Sequence, residues 1–431
     1  MKKTTQSRDG IRTIESGGIK VYNLTAGRTL PQWLTSQKRK ELRKDPDFQR
    51  RIQLIQDTDF PVNSQCVKFS PDQQFLGATG MYPPRVRMYE LEQHSQKFER
   101  YLDAEILKFD FLEDDYSKLM FLLSDKTVEF HNKGGIQCKI KVPKTGRDFK
   151  YLPSNCNTYI ATSDNLDIIN LYEGKFYDSI PINNAVNCLE LSEKYQLVFC
   201  GCEDGVVNVL DPINEEIVSS LNVNAGLINN TDVNGRTLNS VDVTSLGYDG
   251  NLLLTVGTSN GNVLTYDLRS SQPMMTQYHP NRLPIVKTMY HTTQNGEFLV
   301  TADANIVRFS NKEDGKLVVP LESNRRSVIT DVAIAKDSGM CVLAGDFSKL
   351  QLYYIPSLGI APKWCSYLEH LTEELEDEPS AVYDNFQFVT KQELFDLGLG
   401  SFIGSEFLRP YMHGYFMHIK MYQRAMGLKQ N

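Results

Sequence analysis

The sequence has 431 residues, 41% of them apolar and 23% charged, a composition that supports a buried core and excludes a chain disordered throughout. Its net charge of −7 and pI near 5.6 exclude a protein that coats nucleic acid by bulk electrostatics, so any phosphate contact must be local. The length accommodates two or three average domains, or one long closed all-β unit with extensions.

The opening MKKTTQSRDGIRTIESGG has no apolar h-region, and no run of 18 apolar residues follows anywhere. Export and membrane insertion are therefore not expected, and the chain is read as residing in a reducing compartment. Asn23-Leu-Thr25 and Asn229-Asn-Thr231 match the glycosylation pattern, but without export they carry no weight. The eight cysteines, at 66, 138, 156, 188, 200, 202, 341 and 365, lack CxxC spacing and read as buried free thiols.

Within residues 1–60 two segments read as strands, GIKVYNLT (18–25) and FQRRIQLIQDTDF (48–60). Between and overlapping them, residues 36–51 carry Lys38, Arg39, Lys40, Arg43, Lys44, Arg50 and Arg51 against three acids. A helix from about Thr35 to Lys44 would present several of these cations to a phosphate backbone, with little base selectivity. A nuclear localisation signal and a solvated helix covering the fold are the alternative readings.

From residue 61 to 365 one phrase recurs: apolar strand, polar turn, strand, turn, strand. The clearest copies are CVKFSPDQQFLGATGMYPPRVRMYEL from Cys66, VNCLELSEKYQLVFCGCEDGVVNVLDP from Val186 and VTSLGYDGNLLLTVGTSNGNVLTYDLRS from Val243. Weaker copies begin at Ile106, Arg147, Ile285 and Val328, which makes seven. Their central strands are expected to begin near 75, 119, 158, 197, 252, 298 and 341, at spacings of 44, 39, 39, 55, 46 and 43. A four-stranded propeller blade takes about 40 to 45 residues, so the reading is all-β, a seven-bladed WD40-type β-propeller. The longest interval holds NVNAGLINNTDVNGRTLNS, an Asn/Gly-rich stretch that suits an inserted loop better than an eighth blade. Glu203-Asp-Gly205 and Ser259-Asn-Gly261 are tight-turn signals between central and next strands. Gly77-Ala78, Cys200-Gly201 and Ala344-Gly345 suit a crowded strand near a ring axis. A propeller of this type closes its ring with an N-terminal strand, for which 48–60 is favoured by its distance from the first repeat, leaving 18–25 as an extra strand.

Residues 366–431 read as a helical extension. EHLTEELEDE (369–378) has six acids, with Leu371 and Leu375 four apart, and suggests a short amphipathic helix, either solvated or facing a basic partner. In FLRPYMHGYFMHIKMYQRAMG (407–427), Tyr411, Tyr415, Phe416, Ile419, Tyr422 and Met426 fall at helical spacing. His413 and His418 are five apart, about 140° around a helix, which misses the geometry of a histidine metal pair. The segment is too short and polar to span a bilayer, so docking is the remaining reading, on the chain's own propeller or in a partner's groove. Arg409, Tyr411, His413, Tyr415, Phe416, Ile419 and Tyr422 are the candidate docking residues.

No GxSxG, Walker, HExxH or zinc-deaminase pattern occurs, and Gly398-Leu-Gly400-Ser-Phe-Ile-Gly404 does not match GxGxxG. An enzyme with a nonlocal site in the propeller channel is the open catalytic alternative. No cofactor, metal or small-molecule substrate is expected.

The repeats lack strong Gly-His and Trp-Asp signatures, but the flanks are distinctive. GIKVYNLTAGRTLPQWLTSQKRKELRKDPDFQRRIQLIQDTDFP and APKWCSYLEHLTEELEDEPSAVYDNFQFVTKQELFDLGLGSFIGSEFLRPYMHGYFMHIKMYQRA resemble the flanks of the nucleolar protein 10 / essential nuclear protein 2 family of WD-repeat ribosome-biogenesis factors. The resemblance spans essentially the whole chain. It implies a noncatalytic assembly factor of the small-subunit processome, in the nucleolus, with processome proteins and pre-rRNA as partners. A peptide-binding WD-repeat adaptor outside the nucleolus is the alternative. The family pattern continues into a long charged C-terminal extension, whereas this sequence ends at Asn431, so functions of such an extension are not carried over.

Overall fold

A computed structural model describes residues 3–6, 12–16, 19–25, 54–55, 57–182, 184–214, 216–226, 241–323, 327–370, 372, 386–397, 399, 402–403, 408–418 and 421–422. The chain divides into two compact units, Met1–Tyr367 and Leu368–Asn431.

The first unit is a seven-bladed propeller. Its blades are antiparallel sheets whose second strands are Phe75–Gly80, Lys118–Leu123, Asn157–Ala161, Leu197–Cys202, Leu253–Thr258, Gly296–Asp303 and Met340–Gly345, within two residues of the starts expected from the repeat. These strands are largely apolar and buried, as in MCVLAG, because a blade packs a neighbour on each face. The first strands abut one another around the axis, while fourth strands such as Gly135–Lys141 and Glu216–Asn222 are mostly exposed at the rim.

Crowding at the second strands explains their small residues. A Cβ at Gly201 would stand 2.7 Å from a methyl of Val243 in the next blade, and one at Gly77 would stand 2.8 Å from the Phe109 ring. Gly205 and Gly261 take φ of 78° and 75° in the turns that lead to the third strands, where a side chain is disfavoured. The long interval opens with a 3₁₀ turn, Val223–Gly226, and the next blade begins at Val243. Asn224 pins its base, accepting from the Val241 N–H at 3.0 Å and donating to the Asp204 carbonyl at 2.9 Å.

Ring closure differs from the expectation. The fourth strand of the last blade is Ile19–Asn23, with Tyr22 opposite Tyr354 and Asn23 opposite Tyr353, and Arg12–Ser16 and Lys3–Gln6 extend that sheet outward. Val21 and Tyr22 are the reason: both are fully buried, whereas the favoured 48–60 segment is rich in charge. The end of that segment serves as a strap instead. The Phe60 N–H donates to Ser348 at 2.6 Å, while Arg87 Nη1 and the Tyr89 hydroxyl of blade 1 donate to the Asp57 carbonyl at 3.0 and 3.1 Å. It therefore ties the last blade to the first.

The second unit contains a three-stranded antiparallel sheet in the order Phe386–Thr390, Gly414–His418, Leu408–Tyr411. The helix expected over 407–427 is overturned: residues 408–418 form a hairpin. Alternation wins over helical period here, since Leu408, Tyr415 and Met417 share one face, Pro410 lies on an edge strand where its missing donor costs nothing, and Met412 turns the chain at φ 45°. Residues 421–422 are helical, and their side chains pack on the small core of Val389, Leu394, Leu408 and Met417. That core also takes the helix Lys391–Asp396, which begins in a capping box between Thr390 and Glu393. Of the acidic segment, residues 369–370 and 372 are described and helical, and the rest lies outside the described residues.

Candidate interaction surfaces

The propeller axis was the place for a nonlocal catalytic site. There Lys68, Lys150 and Lys287 reach carboxylates of the following blades, Asp110 at 3.0 Å, Glu190 at 2.9 Å and Asp331 at 2.7 Å. Asp148 and Asp331 each accept a backbone N–H from an adjacent blade, that of Leu189 and that of Val67, both at 3.0 Å. Burial alone would lower the Lys108 ammonium pKa, but Asp148 and Asp331 beside it raise it above its ordinary value. Burial likewise pushes Asp331 up, and Lys287 and Lys108 outweigh it and hold it low. Ammonium and carboxylate thus stabilise each other, and the arrangement staples blade to blade rather than presenting an activated base.

A second cluster has the partner order of a nucleophile triad. His279 contacts Asp303 Oδ2 through Nδ1 at 3.1 Å and Thr301 Oγ1 through Nε2 at 2.8 Å. The carboxylate makes Nδ1 the donor, so in the neutral ring Nε2 accepts the threonine hydroxyl. All three side chains are buried, with Thr301 and Asp303 at 0% exposure, so no substrate reaches the hydroxyl. Asp303 Oδ1 also accepts the N–H groups of Asn305 and Ile306, which fixes the turn between the second and third strands of blade 6. Although burial works the other way, the His279 hydrogen bond and these N–H groups hold the Asp303 carboxyl below its usual range. The cluster is a structural tie.

In the second unit, register separates two faces of the sheet. Val389, Tyr415, Met417, Leu408 and Pro410 lie on the face that meets the small core. Phe388 and Phe416 lie directly opposite each other on the other face, ring centroids 5.5 Å apart and 67° between planes. Register puts the Phe386, Arg409, Tyr411, Gly414 and His418 positions on that same face. A Cβ at Gly414 would meet the Phe388 ring at 2.5 Å, so the bare backbone there is what lets the ring settle over the neighbouring strand.

The candidate docking residues are therefore divided rather than aligned. Tyr415 and Tyr422 pack on the small core, Phe416 belongs to the opposite face, and His413 is exposed in the hairpin turn. Arg409 and Tyr411 lie in the edge strand, and Ile419 lies outside the described residues. Lys38, Arg39, Lys40, Arg43, Lys44, Arg50 and Arg51 also lie outside the described residues. All eight cysteines are free thiols; six are buried, as expected of core residues, while Cys138 is exposed and Cys156 partly so. Among the described residues no group of three His, Cys, Asp or Glu is arranged to hold a metal, and no helix is long and apolar enough to cross a membrane.

Sequence reasoning missed Phe388 and the tie through His279, Thr301 and Asp303. The alternation in FQFVT signalled the first. The second had no local signal, since its members are 22 and 24 residues apart.

Fold and buried tie together define a WD-type β-propeller with an appended small αβ unit. The family described as "Nucleolar protein 10-like, N-terminal domain" matches residues 12–379, and "Nucleolar protein 10-like, second domain" matches residues 382–430. The chain belongs to the nucleolar protein 10-like family, whose compartment is the nucleolus. It is 40% identical to Nucleolar protein 10 of Homo sapiens over 411 residues, which cover 94% of this chain and 59% of the human protein. Nucleolar protein 10 of Xenopus tropicalis is 40% identical over 414 residues, covering 95% of this chain and 59% of the relative. Ribosome biogenesis protein ENP2 of Saccharomyces cerevisiae is 35% identical over 422 residues, covering 96% and 58%. The chain thus spans about three fifths of the length of these relatives.

Proposed function

We propose that this chain is a noncatalytic scaffold of the small-subunit processome that supports pre-rRNA processing and 40S subunit biogenesis through protein and pre-rRNA contacts. The observation that carries the reading is the match to both family domains, together with the name of the fungal relative, a ribosome biogenesis protein. The noncatalytic part is supported by the two clusters best placed for chemistry, since one is neutralised between blades and the other is sealed in the core. A rigid ring with contact segments at both ends suits the role, because several modest tethered contacts give high avidity without a deep pocket. In this reading Lys38, Arg39, Lys40, Arg43, Lys44, Arg50 and Arg51 grip phosphates, while the second unit docks a partner.

The test is crosslinking and mass spectrometry of the chain purified from nuclear extract, mapping protein and RNA crosslinks together. The expected result is crosslinks from residues 36–51 and 386–422 to pre-ribosomal components. Absence of pre-ribosomal material from an extract containing assembled particles would overturn the proposal in favour of an adaptor role.

A further inference from the structure

We propose that the outer edge of the fourth blade, Glu216–Asn222, takes up an extended segment of a partner protein as a fifth strand. The inference goes beyond the scaffold reading and does not rest on it, since the edge belongs to this chain whatever particle holds it. A strand at the margin of a sheet turns every second N–H and C=O outward, and proteins blunt such margins with charge, proline or a covering segment. The propeller does so in its other blades. The fourth strands SQKFERY, GIQCKIK and KFYDSIP carry charge in their interiors, LVVPLE has a proline inside and PMMTQY begins on one. In the last blade Arg12–Ser16 covers Ile19–Asn23. EIVSSLN alone among the fourth strands has neither proline nor charge beyond its first residue, and every position except Leu221 is exposed. Ile213 in the preceding turn, Ile217 and Val218 are 69%, 44% and 64% exposed, so three aliphatic side chains stand bare within one hairpin.

The chemistry of the edge names its occupant. Outward donors and acceptors at strand spacing are matched by another extended backbone, and the bare aliphatic side chains by apolar side chains on it. Asp211 and Glu216, opposite each other in register, put negative charge at the start of the edge. That charge turns phosphate away and favours lysine or arginine at the matching end of the added strand. A second copy of the chain fits less well. Antiparallel pairing of two such edges about Ser219 would set Glu216 against Asn222, with no cation opposite either acid and a net charge of −7 on each chain. The chain displays the mode of addition in its own last blade, where Arg12–Ser16 pairs antiparallel with Ile19–Asn23 beyond the fourth strand.

The full chain with p-benzoylphenylalanine in place of Val218, and separately of Ser220, is irradiated in nuclear extract and its crosslinked peptides are sequenced by mass spectrometry. Both sites should mark one short stretch of one other protein, the Ser220 mark preceding the Val218 mark in that protein's sequence, as antiparallel addition requires. A synthetic peptide of that stretch, added to the purified chain, should slow amide hydrogen exchange across Glu216–Asn222, which side-chain contact alone would not do. Val218→Lys combined with Ser220→Lys should lose the peptide, whereas Ser219→Thr, an uncharged β-former, should keep it. Thermal unfolding of each variant confirms that the blade is intact. Unprotected amides at saturating peptide overturn the added strand. So does a folded double-lysine variant that binds the peptide as tightly as the unaltered chain. Marks confined to RNA, to this chain's own sequence or to many unrelated stretches overturn it too. If the marked protein lies outside pre-ribosomal particles, the added strand stands and the scaffold reading falls. If the chain sediments with those particles and neither site marks a protein, the reverse holds.

Discussion

At the scale of single residues, charge is used where burial would normally forbid it, and the reason is that each buried charge has a fixed partner. Asp303 is the sharpest instance, fully buried yet held below the ordinary carboxylate range by His279 and two backbone N–H groups. A carboxyl with a depressed folded pKa stabilises the fold above its unfolded value, and that contribution is lost as pH falls through the folded value. Asp303→Asn should therefore cost about 2 kcal/mol at neutral pH, where charge-assisted hydrogen bonds are lost. The difference from the unaltered chain should shrink steadily as pH drops below the ordinary carboxylate range. Urea unfolding followed between neutral and acid pH measures it; a difference that stayed constant with pH would show that Asp303 acts by shape rather than by charge. His291 adds to the loss on acidification, since burial lowers its pKa and the unfolded chain gains a proton that the folded chain refuses.

Among the secondary-structure elements, the blades were legible because a strand packed on both faces must be largely apolar, and seven such runs recur at blade spacing. The Asn-Gly and Asp-Gly turns were legible for the same local reason, that they need residues tolerant of positive φ. The ring-closing strand and the C-terminal hairpin were not. Closure by Ile19–Asn23 is a long-range pairing with the far end of the propeller, and nothing in five residues names their partner. The hairpin was hidden because 407–427 satisfies a helical spacing and a strand alternation at once, and only the pairing with Phe386–Thr390 decides between them. Closure carries a consequence for stability. Removing residues 1–24 would leave the last blade with three strands and expose the backbone edge of Gln351–Tyr354. Such a chain should unfold at lower urea and associate through that edge, as read by size-exclusion chromatography. A monomer of unchanged stability would mean that the strap of Asp57–Phe60 closes the ring alone.

For the whole molecule, a net charge of −7 requires that the proposed RNA contact be local, and the basic run is where the sequence concentrates the opposite sign. The basic run from Lys38 to Arg51 was legible as a charge reversal within an acidic sequence. The sheet face was only half legible, because helical spacing named Phe416 and Tyr411 while Phe388 joins them solely through strand pairing. Cations on a single strand release counterions, so affinity falls with log salt at a slope of about 0.7 per phosphate neutralised. Charge reversal of Lys38, Arg39, Arg43 and Lys44 should therefore flatten the salt dependence of RNA binding. Titration of the folded variant and of the unaltered chain from low to moderate salt measures it. An unchanged slope in the folded variant would remove the basic run from the proposed RNA contact.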